Sequence, residues 1–228
     1  MEAPAWWDLF INPHVVPRFV SGAFLADIIL ILTALIIRAS ISVVPGGLQN
    51  FVELINEVIL NLSVDNIGPE WGEFFFPFLG TIFIFVLVCN TFSEIPGFGG
   101  CPTSSLYVTA SMGVPVFIVY QLWGLKMHGA MYVKHFLGPI RSVYAIPFMM
   151  AMFVIEMMSH LARPLTLSVR LFGNMFAHDL LLFVLAVMVP LFLPISVLVL
   201  GLLIVPVQAY VITLLSTLYI AGATQHAH

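Results

Sequence analysis

The sequence predicts an all-α integral membrane protein, and two observations support this class. Hydrophobic residues make up 61% of the 228 residues and charged residues only 8%, with a mean hydropathy of +1.09. Several apolar runs are long enough for a helix to cross a hydrocarbon core of about 30 Å. Because lipid offers no hydrogen-bond partners, a spanning segment must satisfy its backbone groups internally, as a helix does.

We expect one membrane domain, residues 1–228, in which several kinds of helix follow a short N-terminal arm. Three helices are ordinary transmembrane helices, one is an amphipathic helix on the membrane surface, and the last two form a hairpin of long, strongly tilted helices. The predicted bounds are 1–18 for the arm, 19–37, 74–92 and 107–125 for the transmembrane helices, 45–62 for the surface helix, and 147–189 and 195–223 for the hairpin.

The predicted surface helix has a helical pattern rather than a continuous apolar run. Apolar residues recur three and four positions apart from Leu48 to Leu62, and Gln, Asn and Glu take the opposite face. This pattern is typical of a helix that lies along a membrane surface. A helix that docks onto a partner would show the same pattern, so both interpretations stay open.

The apolar run from Pro147 to Val189 is too long for an upright span. As one helix it would extend about 64 Å at 1.5 Å per residue, about twice the hydrocarbon thickness. Pro164 favours a kink, but residues 150–172 contain no Gly, Asn or Asp that would make a turn between two spans. We therefore predict one long, steeply tilted helix, which a proline-bounded turn connects to the second.

Composition excludes several classes of function. Seven Lys and Arg residues are too few for a nucleic-acid-binding surface. Two cysteines, Cys89 and Cys101, form neither a disulfide framework nor a metal-binding motif. We predict no nucleic-acid partner, no cofactor, no metal site and no catalytic residue.

The distribution of basic residues predicts the orientation, since Lys and Arg in short loops mark the cytoplasmic side. Arg38 follows the first segment, and Lys126, Lys134 and Arg141 follow the third transmembrane helix. The connection between the second and third transmembrane helices has only Glu94 as a charged residue. This pattern predicts an N-terminus outside and a C-terminus in the cytoplasm.

A polar stripe runs along the first helix of the hairpin, at spacings that share a helix face. Its members are Glu156, Ser159, Arg163, Thr166, Arg170, Asn174 and His178, with Asp179 beside the last. Arg170 lies near the centre of the apolar run, where a guanidinium stays charged and costs at least about 2.5–3.5 kcal/mol. Polar contacts between helices are the ordinary alternative, but two arginines and two acids exceed what such contacts require.

Two more polar residues lie inside other apolar segments. Gln208 lies near the centre of the last helix, and we expect it to pair with the site around Arg170, although helix packing is the ordinary explanation. Asp27 lies in the first segment. A helix contact is at least as good an explanation for Asp27 as a place in an ion path.

The charges around Arg170 favour a specific mechanism. Polar residues on either side could line two water-filled vestibules, and the cation between them would repel a passing proton or Na⁺ and block a direct leak. The same cation would attract a carboxylate and favour its ionised form. The chain has no second obvious carboxylate at this depth, so the moving acid should belong to a partner protein.

The segment Arg170-Leu-Phe-Gly-Asn-Met175, the polar helix before it and Gln208-Ala-Tyr210 together resemble subunit a of rotary F-type ATP synthases, and the resemblance covers most of the chain. It implies a non-catalytic, ion-conducting stator subunit of the Fo sector in a bacterial inner membrane. The implied partners are the c-subunit ring, the b-subunit peripheral stalk and the remainder of the F1Fo complex. Two aqueous half-channels would pass protons to and from carboxylates of the c ring and drive rotation coupled to ATP synthesis.

The resemblance also implies roles by position. Arg170 matches the essential arginine and Gln208 its partner on the last helix. The matched outer half-channel residues are Asn174, His178, Asp179 and Gly201, and the inner ones are Glu156, Ser159 and Arg163. A histidine of the family occurs either on the His178 helix or at the Gly201 position, and here Gly201 leaves room. Asp179 departs from the pattern, because a longer glutamate is common there.

Two rival functions fit some of these features. A self-contained secondary transporter would also carry intramembrane charges, but it should show internal repeats and broken helices. The sequence shows no repeat, and the charges cluster in one hairpin. A purely structural membrane anchor would tolerate the loss of Arg170, whereas a stator would not.

Overall fold

The computed structural model describes residues 17–39, 46–95, 101–128, 146–189 and 193–224. Regular structure within these ranges is entirely helical, which confirms the predicted class. The helices are α1 (Arg18–Ala39), α2 (Gly47–Ile67), α3 (Pro69–Glu94), a short 3-10 helix (Pro102–Ser104), α4 (Leu106–His128), α5 (Ile146–Met188) and α6 (Leu193–Thr224). All of the α-helices except α2 are long and apolar enough to cross a membrane.

Some of the sequence-based expectations fall outside these ranges. They concern almost all of the N-terminal arm, the basic residues Lys134 and Arg141, and most of the turn between α5 and α6. The orientation that these basic residues predict therefore stays a prediction.

The junction between α2 and α3 differs most from the expected bounds. α2 continues to Ile67, and α3 begins at Pro69 rather than at residue 74. Gly68 ends α2 because its φ of 103° lies in a region that L side chains rarely adopt. Pro69 suits the first position of a helix, where no backbone N–H is needed. Both extensions are polar, so hydropathy alone does not reveal them.

α2 packs against α3 and α6. Ile59, Leu62 and Ile67 are buried in these contacts, whereas Phe51 and Leu54 are exposed. The apolar residues of α2 thus serve two surfaces, one of which faces away from the rest of the described chain. That exposed surface suits either a membrane or a partner, and the placement of α2 on the membrane surface stays a prediction.

α5 runs without interruption through Pro164, as predicted for a single long helix. A proline inside a helix leaves the carbonyl four residues earlier without its donor. That carbonyl belongs to His160, and the hydroxyl of Tyr120 on α4 donates to it at 3.2 Å. A neighbouring helix therefore replaces the missing hydrogen bond, which explains how α5 tolerates Pro164.

α5 packs along α4 and α6, and α3 also packs extensively on α6. α4 and α5 approach closely at Gly113, where an added Cβ would lie 3.0 Å from the carbonyl oxygen of Pro164 and would collide with Ser168 Oγ. The Ser168 hydroxyl donates to the Pro164 carbonyl at 2.8 Å and lies 3.2 Å from that of Thr109. Small residues at such contacts let helices in a membrane approach each other. These contacts fix the position of α5 against α4.

Candidate functional site

Arg170 lies on the side of α5 that faces away from the core. Its neighbours Leu167 and Leu171 are buried, whereas Arg170 itself is exposed. Its guanidinium makes no hydrogen bond or ion pair with any residue that the structure describes. A cation at the middle of a membrane helix requires a partner or water. Arg170 is therefore available to a group outside the described chain.

Asn174 links the Arg170 face of α5 to α6. Its side-chain amide Nδ2 donates to Gln208 Oε1 at 2.9 Å. Gln208 is buried, and its own Nε2 has no hydrogen-bond partner among the described residues. The sequence predicts that Gln208 pairs with the site around Arg170. The observed partner is Asn174, one helical turn beyond the arginine.

His178 lies in a buried cluster between α3, α5 and α6. Its Nε2 atom lies 3.6 Å from Glu94 Oε1 and 3.4 Å from the carbonyl oxygen of Val197. The side chains of His178 and Glu94 are 5% and 4% exposed. Gly201 has no side chain, and a Cβ there would collide with the Glu94 carboxylate. Gly201 was expected to make room opposite His178, and the group that occupies this space is Glu94.

Asp179 faces the same end of α3. Its Oδ1 atom accepts a hydrogen bond from Ser93 Oγ at 2.6 Å, and its Oδ2 atom lies 3.5 Å from the backbone N of Cys101. Ser93, Glu94, His178 and Asp179 together are called the Asp179 cluster below. Two acids, an imidazole and a hydroxyl in one cluster can bind and exchange protons.

Buried polar groups continue from this cluster towards the 3-10 helix. Thr103 Oγ1 donates to Asn90 Oδ1 at 2.6 Å, and Thr103 Oγ1 lies 2.7 Å from Cys101 Sγ. Asn90 is fully buried, and its Nδ2 atom lacks a partner within the described ranges. Burial raises the pKa of the Cys101 thiol to about 12. This thiol therefore stays protonated and acts as a structural group.

A second cluster forms on the other side of Arg170, towards the start of α5. Glu156 Oε1 lies 3.5 Å from His160 Nε2, and the Nδ1 atom of His160 lies 3.4 Å from the Tyr120 hydroxyl. The guanidinium of Arg163 lies over the rings of Tyr120 and Tyr219, at 5.7 and 5.4 Å from their centroids. Such positions stabilise a cation through the electron-rich ring faces. These five residues are called the His160 cluster below.

Two predicted residues of the stripe contribute little to either cluster. Ser159 is exposed, and no described residue forms a hydrogen bond with its hydroxyl. Thr166 donates to the carbonyl oxygen of Arg163 at 3.0 Å, within its own helix. Ser159 and Thr166 therefore stay candidate path residues by position alone.

Sequence reasoning missed several residues that the fold brings to these clusters. His160 is adjacent to Ser159 but lies on the buried side of α5, and Tyr120 and Tyr219 come from other helices. In the sequence, Glu94 stands out only as the sole acid of the connection between α3 and α4. Its position at the end of an apolar run was a usable signal, but only the tertiary structure brings it beside His178 and Gly201.

Arg170 thus lies between two polar clusters on one continuous helix. At 1.5 Å per residue, Arg163 lies about 10 Å and His178 about 12 Å from Arg170 along the helix axis. No group of His, Cys, Asp and Glu residues in the described ranges could hold a metal ion. The arrangement of the two clusters suits the transfer of protons or small cations.

The comparison with known families decides the identity. A model of the family described as the ATP synthase A chain matches residues 20–221. The chain belongs to this family. The match begins within α1 and ends within α6, so it includes nearly all of the described helices and both members of the long hairpin.

Relatives in this family match the chain along most of their own length. "ATP synthase subunit a 2" of Syntrophotalea carbinolica is 41% identical over 218 residues, which cover 96% of this chain and 90% of that protein. "ATP synthase subunit a" of Trichlorobacter lovleyi is 38% identical, over 88% of this chain and 84% of that protein. The subunit of Geobacter sp. strain M21 is 43% identical, over 81% and 78%. Together with the apolar helices, these matches identify a multi-pass membrane protein.

Proposed function

We propose that this chain is the ion-conducting stator subunit a of the Fo sector of a rotary ATP synthase. It passes protons through two aqueous half-channels to and from carboxylates of the c-subunit ring, and this transfer drives the rotation that is coupled to ATP synthesis. The chain itself is not catalytic. One observation carries the proposal: Arg170, at the middle of a membrane helix, is exposed and has no partner among the described residues.

The charge of Arg170 supports this role. A guanidinium cannot lose its proton at physiological pH, so it stays a fixed cation. It attracts a carboxylate that passes on a neighbouring subunit and favours its ionised form. A protonated carboxyl must therefore release its proton before it passes the arginine. The same positive charge repels a free proton and prevents a direct leak between the two half-channels.

The two polar clusters supply candidates for the half-channels. The Asp179 cluster, with Asn174, lies on the outer side if the N-terminus is outside, and the His160 cluster then lies on the cytoplasmic side. Glu156, Ser159, Arg163 and Thr166 precede Arg170 on α5, and Asn174, His178 and Asp179 follow it. Each proton that crosses 100 mV of membrane potential supplies only about 2.3 kcal/mol. Several crossings are needed for each ATP, which suits a rotor with many identical sites.

The proposed partners are those that the family resemblance implies. The exposed face of α5 with Arg170 suits the c-subunit ring, because ring carboxylates must come within reach of the guanidinium. The b-subunit peripheral stalk and the remainder of F1Fo complete the assembly. The subunit would reside in a bacterial inner membrane, with its N-terminus outside and its C-terminus in the cytoplasm.

Arg170→Ala in the assembled complex tests this function. Membrane vesicles that carry the variant should make no ATP from an imposed proton gradient, because the site that selects ionised carboxylates is lost. Arg38→Ala is the matched control, since it removes the same charge at the end of α1 and should leave synthesis intact. Normal ATP synthesis by an assembled Arg170→Ala complex would show that the proposal is wrong.

A further inference from the structure

The carboxylate of Glu94 is buried in a way that packing does not explain. Its side chain is 4% exposed, and neither oxygen has a hydrogen-bond donor among the described residues. The nearest polar contact is His178 Nε2 at 3.6 Å from Oε1. Burying an ionisable group without donors is costly, and an apolar residue of similar size would carry no such cost. A group held in this state is a candidate for proton exchange.

α6 is shaped around this carboxylate. An added Cβ at Gly201 would collide with both oxygens and the carboxyl carbon of Glu94. By contrast, a Cβ added at Gly222 on the same helix would meet no atom within 4 Å. The absence of a side chain at residue 201 therefore leaves the space that the Glu94 carboxylate of α3 occupies. Any larger residue at 201 would displace Glu94 from His178.

Other charged and polar groups surround the pair. Asp179 on α5 interacts electrostatically with Glu94 and binds Ser93, the residue that precedes Glu94. The carbonyl oxygen of Val197 on α6 lies 3.4 Å from His178 Nε2, the nitrogen that also faces Glu94. The other ring nitrogen, Nδ1, has no partner within the described residues. The imidazole thus has one nitrogen towards Glu94 and the other unused. It can accept a proton on one side and release one on the other.

We propose that Glu94 and His178 form a proton-carrying pair in the outer half-channel, with Gly201 as the residue that makes room for it. This inference rests on the proposed function. In the unloaded state Glu94 is a carboxylate and His178 a neutral imidazole. One proton from the outer side binds the pair, which is then neutral as a whole, either as carboxyl and imidazole or as carboxylate and imidazolium. One proton then leaves from His178 towards a ring carboxylate, and the pair returns to its unloaded state.

The test is passive proton flux through Fo in membrane vesicles from which F1 has been removed. Glu94→Gln keeps the size of the side chain but cannot release a proton, so flux should fall about tenfold or more. Glu94→Asp keeps the ionisable group on a shorter side chain and should retain more flux than Glu94→Gln. A purely structural role predicts the reverse order, because Gln preserves the shape better than Asp. That reverse order, or normal flux with Glu94→Gln, would overturn the inference.

A double variant covers the case in which Glu94→Gln does not assemble. Gly201→Glu in a Glu94→Ala background places a carboxylate from α6 in the space that the Glu94 carboxylate occupies. The double variant should therefore restore the proton flux that Glu94→Ala alone lacks. Gly222→Ala is the matched control on α6 and should leave flux unchanged. An assembled double variant that conducts no better than Glu94→Ala would also overturn the inference.

The outcome separates this inference from the proposed function. Arg170→Ala vesicles are measured in parallel for ATP synthesis. Loss of synthesis with Arg170→Ala, together with normal flux for Glu94→Gln, would refute only the Glu94–His178 pair. Normal synthesis with Arg170→Ala would refute the stator function itself.

Discussion

The hydroxyl of Tyr120 on α4 donates to the carbonyl oxygen of His160 on α5 at 3.2 Å. Pro164 leaves this carbonyl without its helical donor. One hydrogen bond between two helices therefore permits a proline in the middle of the 43-residue helix that carries the polar stripe. The same hydroxyl lies 3.4 Å from His160 Nδ1, so this contact also positions a member of the His160 cluster.

Tyr120→Phe should lower the free energy of unfolding of the subunit in detergent by about 1–3 kcal/mol, because it removes the hydroxyl that donates to the His160 carbonyl oxygen. Pro164→Ala restores a backbone N–H that can reach His160. In that background Tyr120→Phe should lower the free energy of unfolding much less. Tyr107→Phe, at a position 79% exposed, is the control. An equal cost of Tyr120→Phe in both backgrounds would contradict the assigned role.

Gly113→Ala should destabilise the packing of α4 on α5 by about 1–3 kcal/mol, as overpacking of a close contact does. The added methyl group collides with Ser168 Oγ and approaches the backbone at Pro164. Ser168→Ala in the same chain should relieve part of this cost, since the hydroxyl is the nearer obstacle. Thermal unfolding measures the effect, with Gly222→Ala as the control. No change in unfolding temperature for Gly113→Ala would argue against the close approach.

A cysteine at Ala177 should capture a c subunit in the assembled complex. Ala177 is exposed and lies two helical turns beyond Arg170 on α5, so it shares roughly the same face. The cross-linking is done with Cys89 and Cys101 replaced by serine. Leu35→Cys on α1, at a position 56% exposed, is the control and should not capture the same partner. Capture of the c subunit from residue 35 but not from residue 177 would show that the ring contacts α1 rather than the Arg170 face of α5.

Cys101 should resist thiol reagents in the folded chain. Burial raises its pKa to about 12, and only the thiolate reacts. At pH 8 roughly one thiol in ten thousand is ionised at such a pKa, so labelling should be slow and should rise with pH. Unfolding exposes the thiol and returns its pKa towards the usual range, so labelling in denaturant should be fast. Equal labelling rates in both states would show that Cys101 is accessible.

The purified chain alone in liposomes should move neither protons nor solutes. The shuttling carboxylate is proposed to belong to the c ring, so a single subunit lacks the moving part. A secondary transporter would carry out transport without partners. Measurement of internal pH after an imposed gradient distinguishes the two, with a protonophore as the positive control. Sustained proton flux through the chain alone would favour the transporter.

The long helix, its arginine and the polar stripe were accessible from the sequence, because apolar length and spacing are local properties. The extension of α3 back to Pro69 was not, since its first turn is polar and hydropathy marks only the lipid-facing part. The pairing of Gln208 was predicted only in part. Its position in the last helix was clear, but the choice of Asn174 rather than Arg170 depends on how α5 and α6 pack.

By itself the sequence determined the all-α membrane class, the uninterrupted hairpin helix and the place of Arg170 within it, because each depends on the order of residues along one segment. The tertiary structure alone decided that Tyr120 completes the helix at Pro164 and that Arg163 lies over two tyrosines. It also decided that the Glu94 carboxylate fills the space beside Gly201 next to His178. Each of these relations joins residues far apart in the chain, and only the packing of α3, α4 and α6 against α5 brings them within contact distance.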